Sequence, residues 1–216
     1  MIIDTDNFIT LNNTSSSIMS KLNSIVHLIY HDKELSFTKE DIDFIEHRYK
    51  KVTFKKGETV LHVDEKVDYQ YFVSDGCLRT YLISKPGKEH TIQFAIKDWW
   101  ISDYIAYFSE TNAVLNIECI KDATLYKICR NDVEEIYTRF PKIEHFIRKK
   151  LERSFMSFQK RILANLSQSA KERYINFTQD YPNIEQYLKN YHIASYLGIT
   201  TESLSRIRKE IANNHS

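Results

Sequence analysis

The twenty residues from Asn190 to Lys209 restrict this chain more than any other stretch. Ile193, Ala194, Leu197, Gly198, Ile199, Leu204 and Ile207 fall where two short helices bury side chains when they cross at a tight turn. Each residue type has a physical reason. Ala194 is small where the two backbones approach. Gly198 can close the first helix at positive φ because it has no Cβ to clash. Ile199 plugs the turn, and the Thr200 hydroxyl can cap the second helix. Leu204 and Ile207 give that helix one buried side. The stretch is predicted to be a helix-turn-helix, with its second helix over about residues 200–211.

The 3.6-residue period then fixes the outer face of the second helix: Thr201, Glu202, Ser205, Arg206 and Lys209. An arginine can bind guanine O6 and N7 in a bidentate manner, and a glutamate can accept from cytosine N4. Thr200, Thr201 and Ser205 can bond phosphates or bases near the helix N-terminus. Glu202 and Arg206 alone would also make an ordinary i,i+4 surface pair, worth about 0.2–0.5 kcal/mol. The charge distribution supports the sharper reading. Residues 1–140 hold 17 Lys/Arg against 22 Asp/Glu, whereas residues 141–216 hold 13 against 7. A basic C-terminal third on a chain of net charge +1 suits a polyanion. Double-stranded DNA is the expected partner.

Upstream the periodicity changes twice. Thr38 and Asp41 form a capping-box pattern, with Phe37 and Ile42 placed as a hydrophobic staple. From Val52 to Cys129 short runs read as strands: 52–54, 59–61, 69–73, 78–83, 91–94, 114–117 and 124–128. Turn signals separate them at Lys56-Gly57, Asp75-Gly76, Pro86-Gly87 and Lys121-Asp122. Strands at this spacing predict a small β-roll or barrel. Helical spacing resumes at Asn131, where Asn131 and Glu134 resemble a second capping box. One apolar stripe then runs through Ile136, Phe140, Ile143, Ile147, Leu151, Phe155, Phe158, Ile162 and Leu166. Pro141 is expected to kink that helix or start a new one. A stripe of this length needs a covering surface. Ile143, Ile147, Leu151, Phe155, Phe158 and Ile162 are assigned to the seam of a homodimer. The alternative is packing on the chain's own β-domain. A further helix over 168–181 is stopped by Tyr181-Pro182.

Other function classes are weakly supported. Cys77, Cys119 and Cys129 form no C-x-x-C pair and are odd in number, which argues for reduced thiols and against a disulfide scaffold or a thiolate metal site. His27 and His31 are the one i,i+4 histidine pair. They, His90 and His192 are read as solvated or hydrogen-bonded, and no metal is assigned. No apolar run reaches the roughly 18 residues of a membrane span, and residues 1–17 lack a basic n-region, so a cytoplasmic location is expected. No Walker loop, nucleophile elbow, dinucleotide fingerprint or H-E-x-x-H occurs, and no catalytic residue is assigned.

The run Ile193-Ala-Ser-Tyr-Leu-Gly-Ile-Thr-Thr-Glu-Ser-Leu-Ser-Arg-Ile-Arg208 closely resembles the helix-turn-helix of Crp/Fnr-type bacterial transcription regulators. Glu202, Ser205 and Arg206 match the E-x-x-S-R pattern of the oxygen-responsive branch. Phe54 to Val60 and Tyr71 to Tyr81 look like strand-turn segments of the family's sensor domain. The resemblance implies an α+β chain: an N-terminal cyclic-nucleotide-binding-like jelly roll, a long dimerisation helix and a winged-helix-like C-terminal domain. The boundaries that follow are an extension at 1–17, a sensor at 18–135, a dimerisation helix at 136–167 and a DNA-binding domain at 168–216. It also implies base reading by Glu202 and Arg206, with Thr201 and Ser205 assisting, and RNA polymerase as a further candidate partner. The family's phosphate cassette, a Gly-Glu followed by Arg-Ser, corresponds here to Trp99–Ala113, which has no glycine and no arginine. Cyclic AMP is therefore not expected, nor is an iron–sulfur cluster, since the N-terminal cysteines of that branch are absent. The effector is left unassigned. Trp99, Ser102, Asp103 and Tyr104 are the candidate effector-pocket residues, with Trp100, Tyr107 and Phe108 extending an aromatic set. The competing reading of that set is aromatic filling of an empty roll. Because the sequence ends soon after the second helix, any wing following it is expected to be short or missing. The alternative function is a small-molecule sensor module acting mainly through protein–protein contacts.

Overall fold

Two long strands organise the β-domain. The computed structural model describes residues 37–85 and 87–213. The expected 1–17 extension, the start of the expected sensor and the His27/His31 pair lie outside these residues. The first helix, α1 (Lys39–Glu46), starts as expected: Thr38 Oγ1 accepts from the Asp41 amide at 3.2 Å, and the Thr38 amide donates back to the Asp41 carboxylate at 3.1 Å. Strands β1 (Lys50–Phe54), β2 (Thr59–Leu61), β3 (Tyr69–Ser84), β4 (Lys88–Ile96), β5 (Trp100–Ile101) and β6 (Asn116–Cys129) form one antiparallel sheet. Its main order is β1-β6-β3-β4, with β2 pairing to β6 and β5 to β3. The short α2 (Tyr104–Ser109) follows β5.

Two expected turns are bulges instead. The runs 69–73 and 78–83 are one strand; 124–128 and the second half of 114–117 are another, which starts at Asn116. The β3–β6 register shifts between Val73 and Asp75, between Asp75 and Cys77, and between Cys77 and Leu78. Gly76 sits there at φ +116°, a backbone state that L side chains rarely adopt. A Cβ built on it would lie 2.6 Å from Ala123 Cβ, so the glycine is required by close approach as well as by torsion. A bulge bends a long strand without ending its pairing, and this curls the sheet into a roll.

Curling leaves three sets of buried side chains. Val73, Leu78, Ala95, Ile101, Ile117 and Leu125 fill the roll. Phe72, Ile128 and Ile45 pack with Val133, Ile136 and Ile143 where α1 and the helical residues that follow β6 cover one face. Cys77, Phe94 and Ile120 share a third core with the C-terminal helices. Cys77 and Cys119 are buried thiols, and burial pushes both up to about 12.

β6 runs directly into α3 (Arg130–Arg139). The chain turns helical one residue before Asn131, so the expected Asn131/Glu134 box does not form. The N-cap is Cys129, which makes no side-chain cap bond. The long helix also starts later than position 136. Phe140 is non-helical (φ −129°, ψ 75°), and Pro141 occupies the first turn of α4 (Pro141–Ser167). Its 27 residues extend about 40 Å. Then come α5 (Ala170–Asp180), a 3-10 turn (Ile184–Gln186), α6 (Asn190–Leu197) and α7 (Thr201–Asn213). Among the described residues, no helix is long and apolar enough to cross a membrane.

Gly76→Ala is expected to lower stability by about 1–3 kcal/mol, because the new methyl meets Ala123 while the backbone stays at positive φ. Thermal and urea unfolding will read this. A melting temperature within a degree of the parent would contradict the close-approach account.

Candidate nucleic-acid interface

α6 and α7 cross as a helix-turn-helix. Gly198 closes α6 at φ +68°. Thr200 Oγ1 accepts from the Ser203 amide at 3.2 Å and so caps α7. Ile193, Ala194, Leu197, Leu204 and Ile207 are buried, and Ile199 packs against them partly buried. On the other side Thr200, Glu202, Ser205, Arg206 and Lys209 are exposed, and Thr201 is half-buried. Glu202 and Arg206 make no ion pair with one another. The Glu202 carboxylate accepts from the Thr201 hydroxyl at 3.1 Å. Its own backbone amide and the Thr200 and Thr201 hydroxyls hold that carboxylate below the usual carboxylate range, so it is an acceptor at neutral pH. The Ser205 hydroxyl donates to the Thr201 carbonyl at 3.0 Å, one turn back. It must release that bond to donate elsewhere.

Sequence reasoning missed the residues that aim this helix. Arg208, next to the outward set, turns inward. Its Nε donates to the Tyr174 hydroxyl at 3.1 Å, its Nη1 to Asn190 Oδ1 at 2.6 Å, and its Nη2 to Glu185. It clamps α7 to α5, α6 and the 3-10 turn. The whole C-terminal unit also rests on the outer face of the sheet. Phe94 of β4 meets Phe177, Tyr181 and Tyr196 at centroid distances of 6.2, 6.1 and 5.2 Å. Ser195 Oγ accepts from the Thr91 amide and donates to the Glu89 carbonyl, both at 2.8 Å. Arg161 of α4 donates to the Ile92, Thr91 and Tyr196 carbonyls and stacks 3.9 Å over the Tyr196 ring.

Next to this contact lies a buried ionic group. Arg79 is 2% exposed, pairs with Glu118 at 2.8 Å and Glu89 at 2.7 Å, and lies 4.1 Å over the Tyr81 ring. The ring of Tyr191, on α6, lies 5.8 Å from its guanidinium, and His192 follows on the same helix. His192 is buried, and its Nε2 has no hydrogen-bond partner among the described residues. Burial first, then the nearby Arg79, Lys189 and Lys56 cations, push the imidazole down to about 4.

The expected effector residues do not converge on one pocket. Trp99 packs on Tyr181 of the C-terminal unit at 5.6 Å, and Trp100 on Phe72 at 5.3 Å. Ser102 Oγ donates to the Tyr69 carbonyl at 3.0 Å. Tyr104 stacks on Phe108 at 5.6 Å. Asp103 is fully buried, and its carboxylate accepts from four amides: Ile105 and Ala106 at 3.1 and 3.2 Å, Val114 and Leu115 at 2.7 and 2.9 Å. It is a structural cap for α2 and for the strand entry beyond it. One arginine does reach this segment from α3: Arg130 donates to the Tyr107 carbonyl and pairs with Glu110.

The expected seam divides in two. Ile143 is 2% exposed and belongs to the chain's own core, with Ile147 half-buried beside it. These two anchor α4 rather than lining a free face. Leu151, Phe155, Phe158 and Ile162 are exposed, Phe155 to 63%, and the stripe continues through Leu166.

Residues 51–140 match the cyclic nucleotide-binding domain family. No curated protein matches the chain by sequence. Among solved structures, the fold is similar to FixK2 from Bradyrhizobium japonicum, at TM-score 0.66 and 18% identity over 77% of this chain and 86% of that one. A CooA mutant from Carboxydothermus hydrogenoformans matches at 0.66 and 17%, over 89% and 84%. A putative transcriptional regulator of the Crp/Fnr family from Eubacterium rectale matches at 0.64 and 18%, over 82% and 85%. The matched domain carries the name of a cyclic nucleotide ligand, and the residues present do not fit its phosphate. The amides at the start of α2 are bonded to Asp103, and a phosphodiester brought there would meet that carboxylate.

Because His192 is held neutral in the fold, it binds a proton more readily in the unfolded chain. Its contribution is present above the ordinary histidine pKa of about 6.5 and is lost as pH falls toward 4. His192→Gln is expected to flatten the decline in melting temperature between pH 7 and pH 4.5 relative to the parent. Parallel declines would exclude His192 as a source.

Proposed function

We propose that the chain is a Crp/Fnr-type transcription regulator that binds double-stranded DNA as a homodimer. The carrying observation is the α7 outer face. Glu202, Arg206 and Lys209 are exposed on a helix whose inner side is fully anchored, within a chain sharing its fold with a protein described as a regulator of that family. An exposed polar recognition helix suits the major groove. Arg206 reads guanine, Glu202 accepts from cytosine, and Thr200, Thr201 and Lys209 hold the neighbouring phosphates.

The exposed half of α4 supports the dimer. Leu151, Phe155, Phe158, Ile162 and Leu166 recur at three- and four-residue spacing, which suits packing against the same helix of a second copy. Two helix-turn-helix units related by a two-fold axis would read a palindrome with half-sites about one helical turn apart. Asp103 supports the further reading that regulation does not run through a cyclic nucleotide at α2. The effector, if one acts, has different chemistry.

Selection of binding sites from a random duplex pool, followed by mobility shift, tests the function. A palindromic site should emerge, and Arg206→Ala should lose about 1–3 kcal/mol of discrimination at one position of each half-site. No enrichment of any site by the folded protein would overturn the reading. Phe155→Asp is expected to shift the protein from dimer to monomer in sedimentation and to weaken palindrome binding. A monomeric parent would overturn the seam.

A further inference from the structure

Among the described residues the C-terminal unit carries no wing: all six strands belong to the sensor sheet, and none lies between α5 and α7. The β3–β4 hairpin, whose tip lies between Ser84 and Lys88, reaches across to the start of α7. Gly87, Lys88 and Glu89 from the hairpin line one groove of about 420 Å³ together with Tyr191, Ser195 and Thr201 from the helix-turn-helix. The hairpin is fixed in this position by the Ser195 bonds to the Thr91 amide and the Glu89 carbonyl.

We infer that this hairpin serves as a surrogate wing, placing Lys85 and Lys88 on the DNA phosphates beside the half-site read by α7. The inference rests on the proposed DNA-binding function and names a further contact surface for it. Lys85 and Lys88 are both exposed. Neither makes an ion pair among the described residues. The one carboxylate next to them in sequence, Glu89, is engaged by Arg79 at 2.7 Å and does not neutralise the tip. Lys88 shares its groove with Thr201 at the start of α7, and Lys85 follows β3 on the other arm of the same hairpin. Two-stranded ribbons are suited to lie along a duplex, and lysine binds phosphate as a point charge without reading sequence. The hairpin therefore adds affinity and salt dependence, while site selectivity stays with α7.

The test compares the full-length parent with the Lys85→Gln/Lys88→Gln double variant on the selected palindromic duplex, from 50 to 200 mM salt. Removing one lysine–phosphate pair makes the slope of log K against log salt shallower by about 0.9. The variant is expected to show a slope shallower by about two per protomer, with an unchanged preferred site and an unchanged melting temperature. Arg206→Ala serves as the contrast, since it changes the preferred site. If the parent itself binds no duplex, the underlying DNA-binding reading fails. If the parent binds and the double variant keeps its slope, or binds more tightly, the surrogate wing is overturned while the DNA-binding reading stands.

Discussion

The structure depends on one guanidinium. Arg161 lies on the long helix α4, and its donors end on carbonyls of β4 and α6. Hydrogen bonds to a charged group are worth about 1.5–3 kcal/mol each, and a half-buried arginine with several such bonds is costly to displace. Its bonds tie together the helix that carries the apolar stripe, the strand that carries the sheet's outer face and the helix that supports α7. Ser195 adds a second tie between the same strand and α6. A rotation of α4 about its own axis must break these bonds or carry β4 and α6 with it. The β-sheet and the helix-turn-helix are thus joined by direct contact between packed elements.

That contact explains why the sheet is covered on both sides. Alternation along β4 sends Ala95 into the roll and Phe94 outward. An outward Phe94 would be an exposed apolar liability on an isolated sensor. Here Phe177, Tyr181 and Tyr196 enclose it. Neighbouring Arg79 is ion-paired with Glu118 and Glu89, with the Tyr191 ring 5.8 Å away. The surface is therefore built for α6, and the neutral imidazole is what a site already crowded with cations can accept.

The helix-turn-helix was legible in sequence because its logic is local. A small residue, a glycine, a capping threonine and the 3.6 period act within twenty positions. The capping box of α1 and the break at Pro141 were legible for the same reason. The two bulges were not, since a glycine at positive φ looks the same in sequence whether the partner strand ends or continues. Only the register between β3 and β6 separates the cases. The docking of the C-terminal unit was hidden too. Arg161 sits among Arg148, Lys149, Lys150, Arg153 and Lys160, and nothing in a basic run marks the one member whose partners are 35 to 70 residues away. Asp103 was singled out as an effector-pocket residue, and in the fold its carboxylate is bonded to four backbone amides. A buried carboxylate beside a short helix reads as a ligand group until the four amides bonded to it are seen.

The two ends of α4 meet different physical demands. Ile143 and Ile147 secure its N-terminal turns to the chain's own core, so the helix direction is set before any partner arrives. From Leu151 onward the same apolar register faces water, reaching 81% exposure at Leu166. Burying one such side chain stabilises by about 1.5–3 kcal/mol, and a helix of this amphipathic character gains little from staying uncovered. A preset direction followed by an uncovered stripe is what a self-complementary seam needs. In the proposed dimer the first part would keep the two copies from choosing different angles, and the second would supply the free energy to join them. Arg161 lies within the uncovered half, next to Ile162. Any contact that a second copy makes with the stripe would therefore bear directly on the residue that holds the helix-turn-helix in place.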